Sequence, residues 1–179
     1  MSPARPLVWL VGGQSAFGLV IGLIWFGWAP GTVAYVVAIG GAGTVLIPAE
    51  NESEIAGDGR FVVLSVLVGA LAAIVAWRMR GIRGPAVPAA LALGALLGSL
   101  VARMVGELMA GGATTHPVPN TAVAPPLTLH SLPALFVQSF FAVLIYTGLS
   151  VLSTDPELGR PAAEPGAMAS RASPAGGRQ

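Results

Sequence analysis

Four apolar stretches, each long enough to cross a hydrocarbon layer of about 30 Å as a helix, leave this chain little freedom in what it can fold into. They occupy about residues 7–28, 61–77, 87–109 and 132–152. In hydrocarbon no water bonds an exposed backbone, so such stretches must be helices that satisfy their own N–H and C=O groups. Only 9% of the residues are charged and 54% are hydrophobic, against roughly 25% charged in a soluble domain. The expected fold class is an all-α membrane protein with four transmembrane helices over residues 1–153. A Pro-, Ala- and Gly-rich tail over 154–179 has too few large apolar residues to build a core and is expected to be disordered.

The first run has a competing reading as a signal peptide, with Arg5 before it and small residues near Ala34 behind it. It exceeds the about 7–15 apolar residues of a signal core, which favours a retained span. Trp9 near one end, with Trp25 and Trp28 near the other, fits aromatic anchors at two interfaces. The second run is short for a span, and Arg60 and Arg78 at its ends extend its reach by snorkelling.

Two loops lie on the same side of the four spans, over residues 29–60 and 110–131. In the first, segments 32–37 and 44–47, rich in β-branched residues, flank Gly40-Gly41-Ala42-Gly43, the pattern of a short β-hairpin. An isolated hairpin is marginal in water and needs support from the helices or a partner. An acidic run follows at Glu50, Glu52, Glu54 and Asp58 and is read as part of this loop, a solvated face. The second loop, rich in Pro, Thr and Gly, shows no helical or strand period and is expected to lie extended.

Orientation follows from arginine, since the chain has no lysine. Arg5, Arg78, Arg80, Arg83, Arg160, Arg171 and Arg178 share one side, while the other holds only Arg60 and the acidic run. The arginine-rich side is the cytoplasmic one by the positive-inside rule, which puts both termini there. Heavy use of Ala, Gly, Pro and Arg without Lys resembles a high-GC bacterial genome, so the expected location is a bacterial plasma membrane, multi-pass.

Several chemistries are disfavoured. Absence of cysteine removes thiol catalysis and cysteine-ligated metals. No broad basic patch supports a nucleic-acid partner. His116 and His130 have no close histidine or carboxylate at ligand spacing, and the acidic run lacks the spacing and glycine of a calcium loop. No catalytic residues, metal or cofactor are therefore expected. The Asn51-Glu52-Ser53 sequon is a short chance pattern in a bacterial chain.

What remains is polar residues inside the spans. Arg103 and Glu107 stand one turn apart near the end of the third run and are spaced to pair. An ionisable group within a span is a functional-site hypothesis by default, though Arg103 is close enough to the helix end to snorkel with Glu107 as counter-ion. Gln14 and Gln138 can donate and accept across helices, and hydrogen bonding between helices is the simpler reading. Together Arg103, Glu107, Gln14 and Gln138 form the candidate intramembrane polar site. Gly94, Gly98, Ala102 and Gly106 make a stripe of small residues, as do Gly18 and Gly22 in line with Gln14, and Ser65, Gly69 and Ala73. Such stripes let helices approach closely and point to bundle packing.

The segment from Glu54 through Asp58-Gly59-Arg60-Phe61, with Trp77-Arg78 and Arg83-Gly84-Pro85, resembles an uncharacterised family of actinobacterial membrane proteins, a domain of unknown function. The resemblance covers about the first two-thirds of the chain. It implies four spans with a first outer loop of the same kind, and it carries no functional residues. The expected partners are the lipid bilayer and other membrane proteins or further copies of this chain. The expected role is non-enzymatic, an accessory or scaffolding partner of a cell-envelope complex; the alternative is an oligomeric transporter or channel subunit for a small solute or lipid.

Overall fold

A computed structural model describes residues 4–39, 43–48, 51–79, 85–111 and 121–153. In chain order the elements are α1 (Ala4–Trp28), β1 (Ala34–Ile39), β2 (Gly43–Pro48), α2 (Asn51–Arg78), α3 (Ala86–Met109), β3 (Ala122–Val123) and α4 (Ala134–Val151). All four helices are long and apolar enough to cross a membrane. The tail beyond 153, His116, Glu50 and the Arg80–Arg83 part of the basic turn lie outside the described residues.

Two expectations of secondary structure are corrected. Helix α2 begins at Asn51, about three turns before the apolar run, so Glu52, Glu54 and Asp58 ride on a helix and are not loop residues. Glu52 and Glu54 occupy its first turn, where the partial positive charge of the unpaired N–H groups favours carboxylates. The hairpin exists with strands at Ala34–Ile39 and Gly43–Pro48, but β3, from the loop expected to be without strand structure, adds to its other side. The sheet is antiparallel in the order β2-β1-β3, with Tyr35 facing Ile47 on β2 and Ala122 on β3.

Helix α3 is the centre of the bundle. It runs parallel to α1 and antiparallel to α4, while α2 packs along α4 and barely touches α1. The close α1–α3 approach uses the small residues: a Cβ built on Gly22 would stand 2.5 Å from the Ala102 carbonyl oxygen, and one on Gly94 3.0 Å from Val11 Cα. Gly69 does the same for α2 on α4, 2.6 Å from the Gln138 carbonyl. With backbones this close, dispersion and shape fit hold the helices without a hydrophobic drive, as association within lipid requires.

The interior has two apolar clusters. One, toward the Arg78 end, gathers Leu10, Ala73, Val87, Leu91, Ala142 and Tyr146. The other, toward the sheet, gathers Ile21, Trp25, Phe61, Ala102, Leu129 and Leu135. Trp25 was expected at the lipid interface; it is instead fully buried, edge-on to Phe61 at 5.1 Å between ring centres, with its indole N–H donated to the Gly57 carbonyl at 2.9 Å. The Gly106 position makes room for its ring. Trp28 stays exposed under the Arg60 guanidinium, which also donates to the Trp28 carbonyl, so Arg60 ties α2 to the end of α1.

Candidate functional site

Between the two apolar clusters lies a polar layer. Gln14, Ser65, Ser99 and Gln138, one from each helix, are the buried polar side chains among the described residues. Each sits between members of the two clusters on its own helix, at 10 and 21, 61 and 73, 91 and 102, and 135 and 142, so the four share one level. Ser99 donates its hydroxyl to Gln138 Oε1 at 3.0 Å, joining α3 to α4. Gln14 Nε2 turns along its own helix to the Leu10 carbonyl at 3.4 Å, beside Gly94. Gln14 Oε1, Gln138 Nε2 and Ser65 Oγ have no hydrogen-bond partner.

The Ser99–Gln138 bond sets the expectation for substitution at either of its ends. Ser99→Ala strips Gln138 of its one partnered side-chain atom and will destabilise the bundle by about 0.6–1.7 kcal/mol, the range of such bonds in membrane helices. Gln138→Leu removes the orphan amide but leaves the buried Ser99 hydroxyl without its acceptor, so it too will lower the stability of the bundle. Unfolding titrations in mixed micelles, reading both variants against the parent, test the pair.

Arg103 and Glu107 are in another layer, about one and two turns beyond Ser99 along α3 toward the sheet. Arg103 Nε meets Glu107 Oε1 at 2.9 Å, with both side chains nearly a third exposed. The same Glu107 oxygen accepts the Leu129 backbone N–H at 3.1 Å. Asp58 on α2 takes the next two amides, His130 N–H at 3.2 Å and Ser131 N–H at 2.7 Å. The first turn of α4 starts there, with Ala134 N–H bonded to the Ser131 carbonyl. Two carboxylates therefore hold the strap over 129–131 by its backbone. Each charge on Glu107 and Asp58 has a structural partner.

The four residues named from sequence thus fall into two places: Gln14 and Gln138 in the polar layer, Arg103 and Glu107 at the strap. Sequence reading missed Ser99, which adjoins the Gly98 stripe and joins α3 to α4 through Gln138, and Ser139, which donates to the Ala92 carbonyl at 2.9 Å between the same two helices. It also missed Asp58 as a clamp; an acidic residue ahead of an apolar run has no local mark that distinguishes a clamp from a solvated face.

A third feature stands outside the bundle. On the sheet, Ala34 and Val36 are buried, whereas Tyr35, Val37 and Ile39 on β1 and Val45 and Ile47 on β2 are exposed on one apolar face. Strand β1 is paired on both sides, so β2 is an edge, and it carries no charged residue. Natural edges are usually blunted by charge or bulges.

The fold and these sites define a multi-pass four-helix membrane bundle capped at one end by a small three-stranded sheet. No family model, curated protein or solved structure matches the chain.

Proposed function

We propose that this protein is a non-enzymatic accessory or scaffolding subunit of a cell-envelope complex, and that its sheet is the docking element. The observation that carries this is the exposed apolar face of Tyr35, Val37, Ile39, Val45 and Ile47 beside the uncharged edge of β2. An extended segment of a partner membrane protein pairs with β2 through main-chain hydrogen bonds and covers this face, the mode known as strand addition. The arginine distribution puts the sheet on the outer side of a bacterial plasma membrane with both termini in the cytoplasm. The Asp58–Phe61 and Arg83–Pro85 pieces associate the chain with the uncharacterised actinobacterial four-span proteins they resemble. The alternative of an oligomeric transporter or channel subunit draws no support from the polar residues, because Gln14 and Gln138 are separated from Arg103 and Glu107 along α3.

Purification from gently solubilised membranes will recover a second membrane protein in fixed ratio. Val45→Lys together with Ile47→Lys will lose it, while thermal stability of the purified bundle stays within about 0.5 kcal/mol, as befits exposed positions. Recovery of this chain alone from the parent membranes, as monomer or as homo-oligomer, would sink the reading.

A further inference from the structure

The register of the sheet decides which backbone groups of β2 are free. Val36 N–H bonds the Thr121 carbonyl, so Ala34 and Val36 turn their backbone groups toward β3, and Tyr35, Val37 and Ile39 turn theirs toward β2. Their partners Ile47, Val45 and Gly43 are therefore bonded inside the sheet. What points out along the edge is the N–H and C=O of Thr44 and of Leu46, with the C=O of Pro48, which has no N–H to offer. The Leu46 side chain shares the bundle-facing side with its cross-strand partner Val36. Beneath it, between the sheet, residues 125–130 and the first turns of α2, is a cavity of about 260 Å³. Leu46, Pro125 and Leu127 give it apolar walls, and Glu54, Thr128 and His130 give it polar ones.

Resting on the strand-addition reading above, we propose that the added partner segment is basic: opposite Leu46 it carries an arginine or lysine whose side chain enters this cavity and pairs with Glu54. A residue directly opposite Leu46 in an added strand lies on the same bundle-facing side as Leu46, over the cavity. The cavity is smaller than the about 300–1,000 Å³ of small-molecule sites and suits a single long side chain. Apolar walls leading to a carboxylate match the hydrocarbon stem and charged head of a basic residue. The charges agree. Among the described residues Glu54 has no ion-pair partner, and no arginine lines the cavity. Glu107 is by contrast matched with Arg103, and Asp58 is engaged by two backbone N–H groups. Arg60, the one arginine within residues 29–60 and 110–131, is tied to Trp28. A basic segment therefore meets unmatched carboxylates at Glu54 and Glu52, whereas an acidic one is repelled, and the edge gains a choice of partner that main-chain bonds alone cannot give.

The test uses the full chain in nanodiscs of phosphatidylcholine, whose zwitterionic surface does not itself hold a basic peptide. The probe is a short, capped, dye-labelled peptide of alternating threonine and valine with arginine at a central threonine position, compared with the same peptide bearing glutamine or glutamate there. Anisotropy titrations will find the arginine peptide bound about fivefold more tightly than the glutamine peptide, the upper end of what a part-exposed ion pair confers, and the glutamate peptide weakest. Glu54→Gln will bring the arginine and glutamine peptides level while leaving the affinity for the glutamine peptide unchanged. N-methylation of the alternate amides that face β2, the central one among them, will abolish binding, and N-methylation of the other set will not. Equal affinity of the parent protein for the arginine and glutamine peptides would overturn the basic-residue proposal while strand addition stands. An arginine preference that survives Glu54→Gln would overturn it as well, since the attraction would then belong to the acidic surface at large. If no peptide binds, or both sets of N-methyl groups act alike, strand addition itself fails and the proposal with it.

Discussion

Gly18→Val will largely abolish folding of the bundle, and Gly12→Val on the same helix will be tolerated. A Cβ at Gly18 falls against the Gly98 carbonyl group, which is backbone of a helix packed along its whole length and has no way to yield. At Gly12 an added Cβ meets nothing within 4 Å. Overpacking a core costs about 1–3 kcal/mol when side chains can adjust; here whole helices must separate, so the loss exceeds about 3 kcal/mol, a large share of the about 5–15 kcal/mol that stabilises a typical protein. Gly98→Val should act in the same way, since its Cβ would stand 2.8 Å from the Gln14 carbonyl oxygen. Size-exclusion profiles in detergent, followed by unfolding titration of whatever remains monodisperse, measure the contrast. Equal behaviour of Gly12→Val and Gly18→Val would mean that the α1–α3 seam is not held by close backbone approach.

How far the sequence spoke depended on whether a feature was local. Apolar runs are local, so all four helices were legible, and the shortfall came where α2 continues past its apolar part. There the acidic residues at 52, 54 and 58 read as loop because hydropathy was the guide, although carboxylates in a first turn with no proline among them are also what a helix start looks like. The strand β3 had no such signal. It is two residues long, and Ala122 and Val123 become a strand only because Tyr35 and Ala34, far away in sequence, bond them. Trp25 illustrates the same limit. A tryptophan near a span end fits an interface anchor equally well whether or not Gly57 and Phe61 turn out to face it, and here they do. The separation of the polar residues into two layers, and the slight contact between α1 and α2, depend on which apolar face meets which. Helices that are apolar all round give no periodic clue to that choice.

The strap is where non-local contacts are most exposed to test. Glu107 and Asp58 come from different helices, yet both bind the backbone of 129–131, and that segment leads directly from β3 to α4. Upstream, Val36 N–H on β1 bonds the Thr121 carbonyl at 3.0 Å, so the strap also ties the sheet to the bundle. Glu107→Ala will cost about 2 kcal/mol, within the about 1.5–3 kcal/mol of a hydrogen bond to a charged group, and Asp58→Ala about the same. Arg103→Leu will cost about 1 kcal/mol or less, because its ion pair is partly in contact with solvent or headgroups and such pairs contribute little. Glu107→Gln will fall between, since the amide oxygen still accepts from Leu129 while the charge opposite Arg103 is gone. The double variant of Asp58 and Glu107 will cost less than the sum of the two singles: once one clamp is lost the strap moves as a unit, and the other clamp then holds less. Hydrogen exchange gives the residue-level readout. Amides of Leu129, His130 and Ser131 will lose protection in both single variants, and Val36 will lose it in the double, as β3 and its neighbour Thr121 leave β1. Strict additivity, with Val36 still protected, would show that the two carboxylates act on separate elements and that the sheet is anchored by its own packing through Val36 and Ala34.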